Sequence, residues 1–147
     1  MLFAGSVIVT LVVFSKHGFV LAAGWVIGQL GGALLNLSLK YAFARTRPEY
    51  ADPLLVATSW SFPSAHAMNT FIFCGLGGYL LVRSLRTGVA AGVAATVAVV
   101  WCLLMGFSRL YLGVHFASDV IAGLLAGTAW VAVCVSAMET VRWRTGD

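Results

Sequence analysis

Charge is scarce in this sequence. Only 10% of its 147 residues are Asp, Glu, Lys or Arg, against about a quarter in an ordinary soluble domain. Acids are scarcest: there are five, and they do not cluster. That scatter argues against a two-metal phosphatase or nuclease site, which is assembled from grouped carboxylates. The three cysteines, Cys74, Cys102 and Cys134, stand singly inside apolar runs with no CxxC. They read as small packing residues rather than as metal or redox ligands. A net charge of +4, dispersed along the chain, is too little for a nucleic-acid footprint. No Gly-x-Ser-x-Gly elbow is present, which weakens a serine-hydrolase reading built on Ser64, His66 and Asp119. Histidine occurs three times, so any imidazole chemistry falls on very few positions.

Apolar residues fill the space that charge leaves. The chain is 61% hydrophobic, in runs of about 20 residues, the length that crosses a bilayer at 1.5 Å per residue. The expected fold is an all-α polytopic transmembrane bundle. Four full spans are expected, over Phe19–Leu39, Ser64–Val82, Val89–Phe107 and Phe116–Met138. Before them, Met1–Phe14 is apolar but short for a span and lacks signal-peptide features. It reads as the end of a helix whose beginning is missing, with a short, tilted or interfacial segment as the alternative. Ser15–Gly18 reads as a turn. Gly24, Gly28 and Gly32, and later Gly123 and Gly127, repeat at four-residue spacing and let helices approach closely. Asn36 and Ser38 are expected to bond between helices. Arg142, Trp143 and Arg144 make an interfacial anchor. No acid or base lies in the middle of a span, so no ion path through the midplane is evident.

Three polar segments interrupt the apolar runs. In the first, Lys40 and Arg47 are seven apart, two helical turns, and Pro48 is expected to end the helix at Arg47. Alone, this is equally a basic anchor for lipid headgroups. In the second, Pro63 and Ser64 suit the start of a helix, with His66 in its first turn. A helix start offers free N–H groups to an anion; a structural His66 is the plainer alternative. The third is a polar island, Gly106–Asp119, with Ser108, Arg109, His115 and Asp119. On a helix, positions i and i+4 share a face, so Asp119 would orient the His115 ring and fix its tautomer. If spans alternate, Lys16, Arg83, Arg86, Arg142 and Arg144 fall on one side. Lys40, Arg45, Arg47 and Arg109 fall on the other, together with Ser64, His66, His115 and Asp119. Setting aside Lys40, Arg47 and Arg109 for a ligand, the positive-inside rule puts the first group in the cytoplasm and the three motifs on the extracytoplasmic face.

Lys40-x6-Arg47-Pro48, Pro63-Ser64-Ala65-His66 and Ser108-Arg109-x5-His115-x3-Asp119 together resemble the three-part signature of the type 2 phosphatidic acid phosphatase (PAP2) superfamily. That family comprises membrane lipid phosphatases and soluble vanadium haloperoxidases. The resemblance implies one PAP2-like membrane domain over residues 1–147, N-terminally incomplete against a six-span pattern. It implies metal-independent, cofactor-free hydrolysis of a lipid phosphate or diphosphate. His115 would be the nucleophile, Asp119 its partner and His66 the general acid. Lys40, Arg47, Ser64, Ala65 and Arg109 would cradle the phosphate. Phosphatidic acid, phosphatidylglycerol phosphate and polyprenyl diphosphate all fit, and an extracytoplasmic site at a plasma membrane would suit recycling of the last. The partners implied are the lipid substrate and the bilayer, not nucleic acid; the oligomeric state stays open. One departure stands in the second motif, where Ala65 replaces the family's usual glycine. Alanine tolerates positive φ and close approach poorly, so a catalytically weak or inactive lipid-phosphate binder or transporter is the alternative.

Overall fold

A computed structural model of the chain describes residues 2–49, 59–85 and 87–145. Among them four helices follow in order: α1 Leu2–Phe43, α2 Ala65–Ser84, α3 Gly88–Tyr111 and α4 Ala117–Thr145. Each contains a stretch long and apolar enough to cross a membrane, that of α1 running Val9–Phe43. The protein is an integral membrane protein with an all-α fold. Arg86, Arg47's neighbours from residue 50 to 58 and Asp147 lie partly or wholly outside the described residues.

α1 is two helical pieces. Gly18 breaks it with φ 81 and ψ −178, a conformation open to glycine. A straight helix would carry Val9 about 24 Å from Trp25. Instead both line one cavity, and Val13 is buried in the same cluster as Leu21, Trp25 and Leu80. The segment before Gly18 therefore folds back beside the bundle; the break is confined to Gly18, with Ser15, Lys16 and His17 still helical where a turn over Ser15–Gly18 was expected.

The other ends are set by local chemistry. α1 stops at Phe43, earlier than Pro48 suggested, because Ala44 adopts φ 43 and donates its N–H to the Lys40 carbonyl at 2.9 Å. This left-handed residue closes the last turn. Arg47 thus lies beyond the helix, not on one helical face with Lys40. Ser64 caps α2, its Oγ accepting from the Ala67 N–H, and Thr87 caps α3 in the same way. α3 runs on past the expected Phe107 to Tyr111, so Ser108 and Arg109 lie in its last turn. Gly113, at φ 65, donates to Leu110 and turns the chain toward His115.

α2 is the hub and contacts α1, α3 and α4, whereas α3 packs mainly on α2 and turns most of its surface outward. The glycine stripes work as expected. A Cβ on Gly24 would strike Met138, and one on Gly28 would strike Leu76. Trp130 of α4 donates its indole N–H to the Gly28 carbonyl at 2.8 Å. Asn36 reaches Pro63 O and Met68 Sδ across helices, both at 3.5 Å. Ser38 does not bond between helices; its hydroxyl returns to Leu34 O at 3.0 Å, the usual recourse of a lipid-facing serine. Alternating helix directions gather the C-terminal ends of α1 and α3 with the N-terminal ends of α2 and α4. All the expected site residues lie at this end.

Candidate active site

His115 lies in the turn between α3 and α4, and Asp119 in the first turn of α4. Their pairing is real, with Nδ1 3.4 Å from Oδ2, but it does not come from a shared helix face. Asp119 reaches back to accept the Phe116 N–H at 2.9 Å on the same Oδ2. Phe116 caps α4 and Asp119 is its third helical residue, so the carboxylate makes half of a capping box. The acid that closes the helix is also the acid that faces the imidazole. Asp119 is fully buried and His115 nearly so.

The other carboxylate oxygen is held by a residue with no role in the sequence reading. Arg45 Nη1 lies 2.9 Å from Asp119 Oδ1 and 2.7 Å from Ser118 Oγ, and its guanidinium sits 4.2 Å from the centre of the Phe116 ring. Arg45 falls between Lys40 and Arg47, where the sequence showed only another basic residue. The signal available was its place two residues before Arg47, just beyond a helix end.

Arg47 approaches the far side of the imidazole, with Nη1 3.4 Å from His115 Nε2. It is steadied by the Val114 carbonyl at 2.8 Å and the Ser59 carbonyl at 2.9 Å. Lys40 is buried and donates to the Trp60 carbonyl. Arg109 bonds to the adjacent Ser108 hydroxyl at 3.2 Å. The charges of Arg109, Arg47 and Lys40 act on the His66 ring, and those of Arg47 and Lys40 on His115. Three cations and two imidazoles therefore share one electrostatic neighbourhood. His66 itself is exposed at the start of α2, ready to meet a ligand.

Ser64 holds the two halves together. Its backbone N–H donates to Asp119 O at 2.9 Å, tying the start of α2 to that of α4. Its amide is thus occupied, and the α2 amides without an intrahelical acceptor are those of Ala65 and His66. Ala65 is the first helical residue and does not have a positive φ. The conformational penalty expected for alanine in place of glycine does not arise.

Burial, and after it the Arg47 charge, pushes the His115 imidazolium down to about 4, against the opposing pull of Asp119. The ring is therefore neutral through the whole range near pH 7, with a lone pair on Nε2 when Nδ1–H faces the carboxylate. An NMR titration of the solubilised protein, with His115 assigned by its absence in His115→Ala, should find its midpoint near pH 4. A midpoint at or above the ordinary 6.5 would contradict this environment.

Comparison with known proteins agrees with this arrangement. A family model described as the PAP2 superfamily matches residues 16–143. Phosphatidylglycerophosphatase B of Bacillus subtilis (strain 168) is 41% identical over 102 residues, 64% of this chain and 46% of that protein. An undecaprenyl-diphosphatase of Sulfolobus acidocaldarius is 32% identical over 121 residues, 79% of this chain and 52% of its own. The chain spans about half the length of these curated relatives. The crystal structure of a transmembrane PAP2-type phosphatidylglycerolphosphate phosphatase from B. subtilis superposes with a TM-score of 0.85 at 31% identity, over 95% of this chain and 70% of that one. The signature residues, their convergence at one end of the bundle, and a family match across most of the chain establish that it belongs to the PAP2 superfamily.

Proposed function

We propose that the protein is a lipid phosphatase that hydrolyses a phosphate or diphosphate ester through a phosphohistidine on His115. The observation that carries this reading is the buried His115, with a carboxylate on one ring nitrogen and an arginine beside the other. In the first step Nε2 attacks phosphorus, and the bond from phosphorus to the lipid oxygen breaks. His66 gives the leaving oxygen its proton. Asp119 stabilises the cationic ring as it forms. Lys40, Arg47 and Arg109 neutralise the phosphoryl oxygens, Arg as a fork and Lys as a point charge. In the second step water attacks phosphorus, His66 takes its proton, and the N–P bond breaks to release phosphate. Lys40 and Arg47 each spend one donor on a backbone carbonyl, of Trp60 and Ser59, and keep others for the phosphate.

The site lies at the end of the helices, so a phosphate reaches it from the headgroup layer while acyl or prenyl chains stay among apolar side chains. Phosphatidylglycerol phosphate is the first substrate to try, because the B. subtilis relative is named for it; a polyprenyl diphosphate is the second. Lys16, Arg83, Arg142 and Arg144 gather at the opposite end, which favours a cytoplasmic location for that end and an extracytoplasmic active site in the cell membrane.

The test is phosphate release by the detergent-purified protein in EDTA, from phosphatidic acid, phosphatidylglycerol phosphate and a polyprenyl diphosphate. Release that survives EDTA and requires His115 is expected. A folded protein that binds these lipids and releases no phosphate from any of them would favour the binder reading.

The geometry also depends on Gly123. A Cβ there would lie 2.7 Å from the Ser64 carbonyl oxygen and 3.3 Å from the Met68 nitrogen. Backbone cannot yield as a side chain does, so Gly123→Ala must push the start of α2 away from Asp119. Turnover should fall about 100-fold, the effect of an ångström of misplacement. Stability should fall by about 1–3 kcal/mol. Parallel activity and thermal-denaturation measurements check both, and a wild-type rate would show that α2 and α4 can separate without harm.

A further inference from the structure

The end of the bundle remote from His115 holds a second polar cavity, of about 400 Å³, lined by Lys16, His17, Gly18, Leu21, Arg83 and Arg142. The Gly18 break opens it by turning the chain away at that point. The 20 residues of α2, about 30 Å of helix, separate it from the catalytic groups. Three cations border this cavity. Among the described residues one acid, Glu139, serves two of them: it pairs with Arg83 and lies 3.5 Å from Arg142 Nη1. Lys16 has no ion-pair partner among the described residues, so the cluster keeps an excess of positive charge. His17 is fixed by a 2.7 Å contact to Ser84 Oγ. The Arg83 and Arg142 side chains are only 31% and 18% exposed, so their charge is poorly screened.

Lys16 and His17 also border a second cavity, of about 380 Å³, which runs inward past Leu80, Gly77 and Phe73 to Trp25. Along α2 it extends from Ser84 to Phe73, about 16 Å. Its inner wall is apolar. A basic mouth joined to an apolar trough, between helices at a membrane surface, matches an anionic headgroup with its chain. A free phosphate ion would leave the trough unused.

We propose that this end of the bundle binds an anionic phospholipid, its phosphate held by Lys16, Arg83 and Arg142 and one acyl chain lying in the trough toward Trp25. The site is independent of the catalytic reading, and its occupant is bound, not turned over.

The experiment is native mass spectrometry of the full chain released from nanodiscs containing equal dioleoyl-phosphatidylglycerol and dioleoyl-phosphatidylcholine. The wild type should retain one phosphatidylglycerol in preference to phosphatidylcholine. Lys16→Gln should weaken that retention about fivefold, the effect of one basic residue near an anionic lipid. Lys16 is exposed and unpaired, so its loss does not threaten the fold. Gly78→Leu tests the trough separately: a Cβ on Gly78 meets nothing within 4 Å, so the leucine would fill the trough and lower retention with every charge in place. Equal retention in the wild type and both variants would overturn the proposal. So would loss in Lys40→Gln but not in Lys16→Gln, which would put the lipid at the catalytic end. Displacement by millimolar inorganic phosphate would mark a small-anion site instead and would equally overturn it.

Discussion

Phosphate release by His115→Ala should fall by about 10⁴-fold or more, because the change removes the imidazole that would form the covalent intermediate. The cations would still bind and polarise the phosphate, but water would have to attack without a nucleophile held in line. The loss should be one of chemistry and not of folding. Asp119 keeps the Phe116 N–H and Arg45 when the imidazole is gone, so the start of α4 stays capped. Purified His115→Ala should denature near the wild-type temperature and still bind lipid phosphate. His66→Ala should fall less, by about 10²- to 10⁴-fold. A His115→Ala rate within tenfold of wild type would remove the nucleophile from this account.

Arg45→Ala should be damaging although the residue does not touch the substrate. It strips Oδ1 of the fully buried Asp119 of its charged partner. An unpaired buried carboxylate costs about 3–5 kcal/mol, but Arg45 is 39% exposed and water will replace part of what it supplied. A stability loss of about 1–2 kcal/mol is therefore expected. The larger effect is on the histidine. Asp119 Oδ2 keeps the Phe116 N–H but the carboxylate loses its anchor on Oδ1, so its aim at Nδ1 loosens and kcat should fall about 10- to 100-fold while KM changes little. The His115 titration should respond as well, since its carboxylate partner is held less firmly. Arg45→Lys should recover only part of the rate, because an ammonium lacks the planar fork and the face that lies over Phe116. A raised KM with unchanged kcat would instead make Arg45 a substrate ligand.

Much of this was legible in the sequence. The apolar runs locate the four spans, since a bilayer fixes the length an apolar run must have, but α1 begins at Leu2 and α4 continues to Thr145, well beyond the expected Phe19 and Met138. Three short polar segments supply the candidate site residues, and the helix directions bring them to one end. What the sequence hid lies at helix ends. Lys40 and Arg47 look like one helical face, but Ala44 takes a left-handed conformation and ends α1 between them. A positive φ on alanine leaves no mark in composition or periodicity. His115 and Asp119 look like an i, i+4 helical pair, yet the histidine precedes the helix and the acid reaches it by capping. The two geometries bring together the same residues, so spacing alone does not separate them. Arg45 was invisible because its partner lies 74 positions away, a contact set by tertiary packing. At the second motif, alanine in place of glycine would cost most at a positive φ, and Ala65 is instead an ordinary first helical residue.

Trapping the intermediate tests the central claim most directly. His66→Ala removes the group that both protonates the leaving oxygen and activates water. With p-nitrophenyl phosphate, whose leaving group needs little protonation, the first step should proceed and the second should stall. The quenched protein should then carry the mass of one phosphoryl group, stable to alkali and labile to acid, on the peptide that contains His115. The adduct should be absent from His66→Ala combined with His115→Ala. Continued release of p-nitrophenol by His66→Ala with no phosphoryl group on the protein, or with the group on another residue, would contradict catalysis through His115.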